Sequence, residues 1–442
     1  MSSLRVLGEL DRTFAWDGVR MYEDADLGPD AELPLELRGA AATAHMGDSE
    51  RWRLVRDPLG VNKLFWVEAA GTLYLAARPW RLTQEGYDLD AIRAIPRGSV
   101  IDLHPAEGSS LKHDIARDGS GSPYRDVGVG AIARRIRSEV SGFLAAIASA
   151  HSGARAFVCL SGGLDSSGIA ALAQEHFPGL VAVSFDLDRH RGQASEDRLA
   201  AGRLARDLGL PLLEATVSGQ QLLEHVDTAL LEGIDWRDFN VHAALVNAAL
   251  GEAIADAVRG EDKREPVLVF TGDLANEFLA DYEPERYRGS TYYGLPKLAK
   301  PALRRILVRG LDTSHREIGV FAAWGLAAVQ PYAAAADAYL ALPDAFISSP
   351  DCKALLCREM LGERLPGYVF SRRKARAQVG GPDVGGGVLG LCVDRGFDAA
   401  KLKRRFAELH GVSDLSSLDR FIRTGVYRSA VPSIMGVTSG RA

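Results

Sequence analysis

The sequence predicts an α/β protein in two parts. A β-rich part is expected over residues 1–118, then a linker at 119–128, then a parallel sheet covered by helices over 129–442. Three observations predict this. Short apolar segments separated by turns fill the first part; a stretch rich in Gly, Ser, Pro and Asp follows; and beyond it strand, turn and helix patterns alternate.

In the first part the segments RWRLVRD, KLFWVEA, GTLYLAA and GSVIDLH have the length and apolar content of strands. The run ARDGSGSPYRDVGVG has the composition of a connection. From Ala131 to Ala150 the residues Ile132, Ile136, Val140 and Leu144 recur at four-residue spacing, which gives a helix one apolar face. ARAFVCL then reads as a buried strand, and SGGLDSSGIAALAQEHF turns from it into a helix. LVAVSFDLD is a second strand, and SEDRLAAGRLARDLG a helix with Ser195 as its N-cap. LLEATVS and, after a helical stretch, PVLVFTGD complete four strands. Such alternation implies parallel pairing, with helices on the sheet. Residues beyond about 300 read as mostly helical, and the Ser/Gly-rich tail is expected to fray.

Composition limits the function. The chain has 442 residues, enough for two or three domains, and its 47% hydrophobic and 25% charged residues are ordinary for a globular protein. A formal net charge of −6 leaves no basic footprint for nucleic acid. The N-terminal stretch lacks a long apolar run and carries Glu9 and Asp11, unlike a secretory signal. No stretch has the length and apolar content of a membrane span, so a cytoplasmic protein is expected. The four cysteines (Cys159, Cys352, Cys357 and Cys392) lack metal-ligand spacing and read as reduced thiols. Cys352 and Cys357 are expected on different faces of one helix.

The strongest chemical signal is Ser161-Gly162-Gly163-Leu164-Asp165-Ser166, set directly after a strand and opening a helix. Glycines let the backbone turn sharply and approach a ligand. The first N–H groups of a helix lack internal partners and sit at its positive end, which suits phosphate. Ser161 and Ser166 can add hydroxyl donors, and Asp165 can hold the Mg²⁺ that accompanies phosphates. The Gly-Lys-Ser/Thr ending of a Walker A loop is missing.

This loop resembles the pyrophosphate loop of ATP pyrophosphatases, which cleave ATP to AMP and pyrophosphate. Within them the chain resembles the asparagine synthetase family, which includes β-lactam synthetases and lasso-peptide cyclases. Four further segments carry the likeness: Arg56-Asp57-Pro58-Leu59-Gly60-Val61-Asn62-Lys63-Leu64, Ile95-Pro96-Arg97-Gly98-Ser99, Thr271-Gly272-Asp273-Leu274-Ala275-Asn276-Glu277, and the stretch from Lys353 to Lys374 with its Leu-Pro turn and Arg-x-Lys loop. The resemblance implies a degenerate glutaminase-like (Ntn) domain over 1–118 and an adenine nucleotide α-hydrolase-like domain over 129–442. It implies ATP and Mg²⁺ as cofactors and Lys374 as the catalytic cation at the α-phosphate. Leu160, Ser184, Thr271 and Gly272, at strand ends, match adenosine-holding positions. Ser195-Glu196-Asp197 resembles a segment near the family's site, and equally an acidic helix start.

The departures are informative. Residue 2 is serine where glutamine-dependent members expose a cysteine, and their glutamine-binding segments are absent. The implied reaction is amide formation through an acyl-adenylate, with an amine of a small molecule or peptide as the nucleophile, in specialised biosynthesis. Asn276 replaces the second Mg²⁺-binding aspartate; its amide oxygen can ligate metal but brings no charge. Asp273 replaces the family's glutamate or tyrosine and could orient the amine or take its proton; Glu277 is a second candidate for that work. Asp235, Asp238, Asn240 and His242 either line a substrate pocket or, for Asp238 and Asn240, cap a helix. A nucleotide-binding regulatory or scaffold protein is the alternative from another class. The acceptor amine, ring closure versus joining, and oligomeric state stay open, a homodimer included.

Overall fold

The computed structural model describes residues 3–33, 37–47, 51–104, 108–114, 127–188, 194–261, 264–372, 386–423 and 425–432. Most of the expected linker, residue 2, Lys374 and the tail from 433 lie outside these residues. The chain divides into two units. The first comprises residues 1–118, 309–313 and 407–442, and the second residues 119–308 and 314–406.

The first unit is a mixed β-sheet region. One sheet runs Ser3–Val6, Thr72–Ala76, Phe65–Ala69, Arg93–Ala94, with its first pair parallel and the others antiparallel. A second, antiparallel throughout, runs Gly108–Asp114, Ser99–His104, Trp52–Arg56, Ala42–Met46. Alternation along its strands fills two cores. Leu54 and Ile101 join one apolar cluster, whereas Val55 and Val100 join another. The Arg56–Leu64 segment is a turn held by its own charged groups. Asp57 accepts from Val61 N (2.9 Å) and Asn62 N (3.0 Å). The fully buried Arg56 guanidinium donates to Asn62 O, to Ile95 O and to the Asp312 carboxylate. These residues shape this unit's core.

The second unit is built on a five-stranded parallel sheet: β1 (Arg155–Cys159), β2 (Val181–Asp188), β3 (Leu212–Ser218), β4 (Val267–Phe270) and β5 (Leu326–Val329). Their order is β3-β2-β1-β4-β5, every pair parallel. The near-continuous burial of β2 shows that both faces are covered. The covering helices include α1 (Val129–Ala150), α2 (Leu164–Ala173), α3 (Glu196–Leu208), α4 (Asp238–Ala257) and α6 (Cys352–Leu361), with the short α5 (Ala275–Leu279) after β4. Ser195 caps α3 as expected, its Oγ accepting from Arg198 N (3.2 Å). Gly209, at φ +69°, ends that helix in the left-handed region where glycine is favoured. The architecture is ATP-pyrophosphatase-like, as the sequence predicted.

Two local expectations need correction. The region beyond 300 also contributes a strand, β5, whose alanines and short length gave no strand signal. Neither Asp238 nor Asn240 caps α4: the N-cap is Arg237, Asp238 accepts from the adjacent Phe239 N (2.7 Å) and from the Tyr293 backbone N–H, and Asn240 Oδ1 accepts from Arg316. Cys352 and Cys357 are both buried, because α6 packs against α1 and α2 together. None of the four cysteines is in a disulfide.

Candidate active site

The chain leaves β1 and goes to β2 and β3 on one side, then returns to place β4 and β5 on the other. The strand order therefore reverses between β1 and β4, and open α/β sheets bind ligands at the carboxyl ends of such a pair. The Ser161–Ser166 loop follows β1, and Thr271–Gly272 follows β4.

The loop closes on itself. Ser166 Oγ accepts from Ser161 N (3.2 Å), pairs with Ser161 Oγ (3.1 Å) and donates to Gly163 O (3.2 Å). Gly162 has φ +70°, and a Cβ there would lie 2.7 Å from Ala200 Cβ. Gly163 is the N-cap of α2, and the first backbone bond of the helix runs from Ser167 N to Gly163 O (3.0 Å). Leu164, Asp165 and Ser166 thus present the first-turn N–H groups that a helix cannot satisfy internally. Gly272 lies against this turn: a Cβ on it would stand 2.7 Å from Ser166 N and 2.8 Å from Asp165 C. The loop after β4 can approach the phosphate-type turn only as bare backbone.

Of the expected adenosine-side positions, Leu160, Thr271 and Gly272 do follow strand ends. Ser184 does not. It is buried in the middle of β2, because β2 runs on past the end of β1. The register still brings it level with Leu160, since Cys159 pairs with Val183 and Leu160 N donates to Val183 O (2.8 Å).

Asp165 divides its two oxygens. Oδ2 accepts from Lys353 Nζ at 2.5 Å; Oδ1 is buried with no hydrogen-bond partner. The same ammonium donates to Asn276 Oδ1 (2.6 Å) and lies 3.2 Å from Asp281 Oδ2. Burial works to lower the Lys353 pKa, but the charges of Asp165 and Asp281 outweigh it and hold the amine protonated. Lys353 is a feature that motif reading left without a role. A signal was present: it lies three, four and seven residues before Leu356, Cys357 and Met360, on a buried helical face where lysine is rare. The orphaned Asp165 oxygen fits a divalent cation that arrives with phosphates. Among the described residues, no group of three or more His, Cys, Asp or Glu side chains could hold a metal by itself.

A second cluster centres on Arg316. Its Nε donates to Glu317 Oε1 (2.5 Å), NH1 to Asn240 Oδ1 (2.6 Å) and NH2 to Glu277 Oε1 (3.3 Å), with Asp273 Oδ1 at 3.7 Å. Tyr282 donates to Glu277 Oε1 (2.7 Å), and Gln330 to Glu317 Oε2 (3.2 Å). Glu277 is thus fixed within a network, while Asp273 stands at its edge. Burial pushes the Asp273 carboxyl up to about 8; the charge of Glu317 adds to this and that of Arg316 opposes it. The helix carrying Asn276 and Glu277 is flanked by two non-glycine residues in the left-handed region, Leu274 (φ +78°) and Ala280 (φ +49°). Backbone strain of this kind is found at ligand clamps. Asp235 binds Asn240 Nδ2 (2.5 Å) and Arg237, and His242 Nδ1 pairs with Tyr293 OH (2.8 Å). Arg372 donates to Ser161 O (3.0 Å) and Asp197 Oδ1 (2.5 Å).

Residues 144–316, most of them in the second unit, match the family model of asparagine synthase. Among solved structures, an NMN synthetase from Francisella tularensis is 12% identical (TM-score 0.28; 67% of this chain and 92% of that one covered). A glutamine-dependent NAD⁺ synthetase from Acinetobacter baumannii, in complex with ADP, is 14% identical (TM-score 0.30; 70% of this chain and 48% of that one). No curated protein matches the chain. Among the described residues no helix is long and apolar enough to cross a membrane.

Proposed function

We propose, from this match to asparagine synthase, that the protein is an ATP-dependent carboxylate–amine ligase that forms AMP. It adenylates a carboxylate, releases pyrophosphate and passes the acyl group to an amine of a small molecule or peptide. The observation that supports this most is the Ser161–Ser166 turn at the strand-order reversal, with Gly272 backbone against it and one Asp165 oxygen left without a partner.

In this reading the first-turn N–H groups of α2 and the Ser161 and Ser166 hydroxyls receive the oxygens of the leaving pyrophosphate. Asp165 would hold Mg²⁺, which when bound neutralises charge on the phosphates. Lys374 would supply positive charge at the α-phosphate, and Arg372, two residues before it in the sequence, donates to Ser161 O. Asp273 would orient the amine or take its proton, at the rim of the Arg316 network. The absence of glutamine-binding segments supports an amine rather than glutamine as the nitrogen source.

A second reading, a nucleotide-binding regulatory protein, is favoured by the amide at Asn276 and by the ammonium bonded to it. Product analysis separates the two. Incubation with ATP and pooled carboxylic acids, read as acid-dependent exchange of labelled pyrophosphate into ATP, is expected to give exchange. ADP and orthophosphate as products contradict the ligase, and nucleotide binding without exchange supports the regulatory reading.

A further inference from the structure

We propose that the ammonium of Lys353 is a built-in cation of the nucleotide site. It takes the position between Asp165, Asn276 and Asp281 that a free divalent ion would otherwise seek, and so keeps that ion out until phosphates bring it. The proposal takes its purpose from the nucleotide reading of the Ser161–Ser166 loop, but its geometry stands without it.

An ammonium has three donors and no acceptor. Here the three meet three oxygens: Asp165 Oδ2 at 2.5 Å, Asn276 Oδ1 at 2.6 Å and Asp281 Oδ2 at 3.2 Å. These come from separate stretches of chain. Asp165 lies in the first turn of α2, Asn276 in α5 and Asp281 just beyond it, where Asp281 N bonds back to Asn276 O (2.9 Å). The lysine arrives from α6, its side chain 11% exposed. Convergence of three oxygens from two stretches of chain on one point is the arrangement of a hard-cation site, and an amine from a third fills it.

Charge supports the assignment. Two carboxylates and one ammonium leave the cluster at a formal −1, since Asn276 contributes none. Withdrawal of the ammonium would leave −2, the complement of a divalent ion. A third carboxylate at 276 would leave −2 even with the lysine present. The amide at 276 and the lysine at 353 therefore act together: each lowers the attraction of the pocket for a free divalent ion, and both keep the oxygens gathered. Asp165 Oδ1 stays outside the ammonium's reach and without a partner, so a cation carried in by phosphates can still be met there. Affinity of oxygen sites for hard cations follows ligand charge. Removal of the lysine charge should thus create a divalent site in the absence of nucleotide.

The test uses Mn²⁺ and Mg²⁺ alone with the full chain, read by Mn²⁺ electron paramagnetic resonance and by thermal shift. Lys353→Met and Lys353→Gln are expected to bind Mn²⁺ at least about tenfold more tightly than the wild type. Adding Asp165→Asn to either variant is expected to abolish the gain. If a variant is unfolded in metal-free buffer, recovery of the folded state by Mg²⁺ or Mn²⁺ alone supports the proposal, and failure to recover overturns it. Wild-type protein that binds Mn²⁺ as tightly as the variants also overturns it. So does a folded variant with no gain, which would leave Lys353 an ordinary structural ion pair. Neither readout requires turnover, so a chain that fails pyrophosphate exchange yet gains Mn²⁺ on loss of Lys353 keeps this inference and loses the ligase.

Discussion

Asp273 carries a charge whose state depends on its neighbours. Burial and the adjacent Glu317 push it up to about 8, against the pull of Arg316. In the proposed role of amine-proton acceptor it must work as the carboxylate, so acyl transfer should rise with pH up to about 8 and level off above. Asp273→Asn should lose this limb, and the ratio of wild-type to variant rate should climb about tenfold per unit below the pKa. Taking that ratio from pH 6 to 9 cancels the titration of the amine itself; a flat ratio removes Asp273 from the proton path. For stability the sign runs the other way. The folded state holds a proton that the unfolded chain releases near 3.8, so this group stabilises in acid and its contribution is lost as pH rises through about 8. At this scale the sequence made Asp165, Ser166 and Asp273 visible, because they stand in contiguous motifs. Arg316, Glu317 and Lys353 come from separate helices and strand approaches, and only the packed fold brings them to the motif residues.

The loops after β1 and β4 depend on each other through one missing side chain. A Cβ at Gly272 would press on the backbone of Asp165 and Ser166, which cannot swing away as a long side chain can. Gly272→Ala should cost about 1–3 kcal/mol of stability, in the range of an overpacked site, and should weaken nucleotide binding by displacing the first turn of α2. Gly179→Ala, where nothing lies within 4 Å of the added carbon, is the matched control. Denaturant unfolding with a fluorescent ATP analogue titrated in parallel checks both; equal behaviour of the two variants would mean that the loops do not share the turn. The elements themselves were legible where local pattern decides them. Leu212–Ser218 matches its predicted strand end to end, and Ser195 caps the helix it was assigned to. β5 was illegible because Leu326-Ala-Ala-Val becomes a strand only through its pairing with β4, which continues into Thr271 N donating to Val329 O (3.0 Å). Asn240 failed as a cap because Arg316 and Asp235 offer it stronger, charged partners.

Across the whole molecule, contacts remote in sequence complete the first unit. Phe65 packs edge-on to Tyr427 with centroids 5.0 Å apart, and Trp66 Nε1 donates to Ala430 O (2.8 Å). Nothing periodic in residues 407–432 announces that return; it is set by complementarity between surfaces hundreds of residues apart. Each unit also encloses a histidine that folding keeps neutral. In the second, burial lowers His242 to about 4; its Nδ1 pairs with Tyr293 OH and its Nε2 is without a partner. In the first, burial lowers His410 to about 3, beside the Thr83 hydroxyl. An unfolded histidine takes up its proton near 6.5, which the folded state refuses until far lower pH. The unfolded state then binds more protons, so stability falls as pH drops from about 6.5 toward 4, in each unit. For His242 the shift corresponds to about 2 kcal/mol lost between pH 7.5 and pH 5. His242→Gln cannot charge. Whatever it costs at neutral pH, its own loss between the two pH values should be smaller than that of the wild type by about this amount. Urea unfolding of both proteins at pH 7.5 and 5.0 measures the difference. Equal pH losses in the two would show that His242 takes up its proton without unfolding, through a pocket open enough to hydrate it.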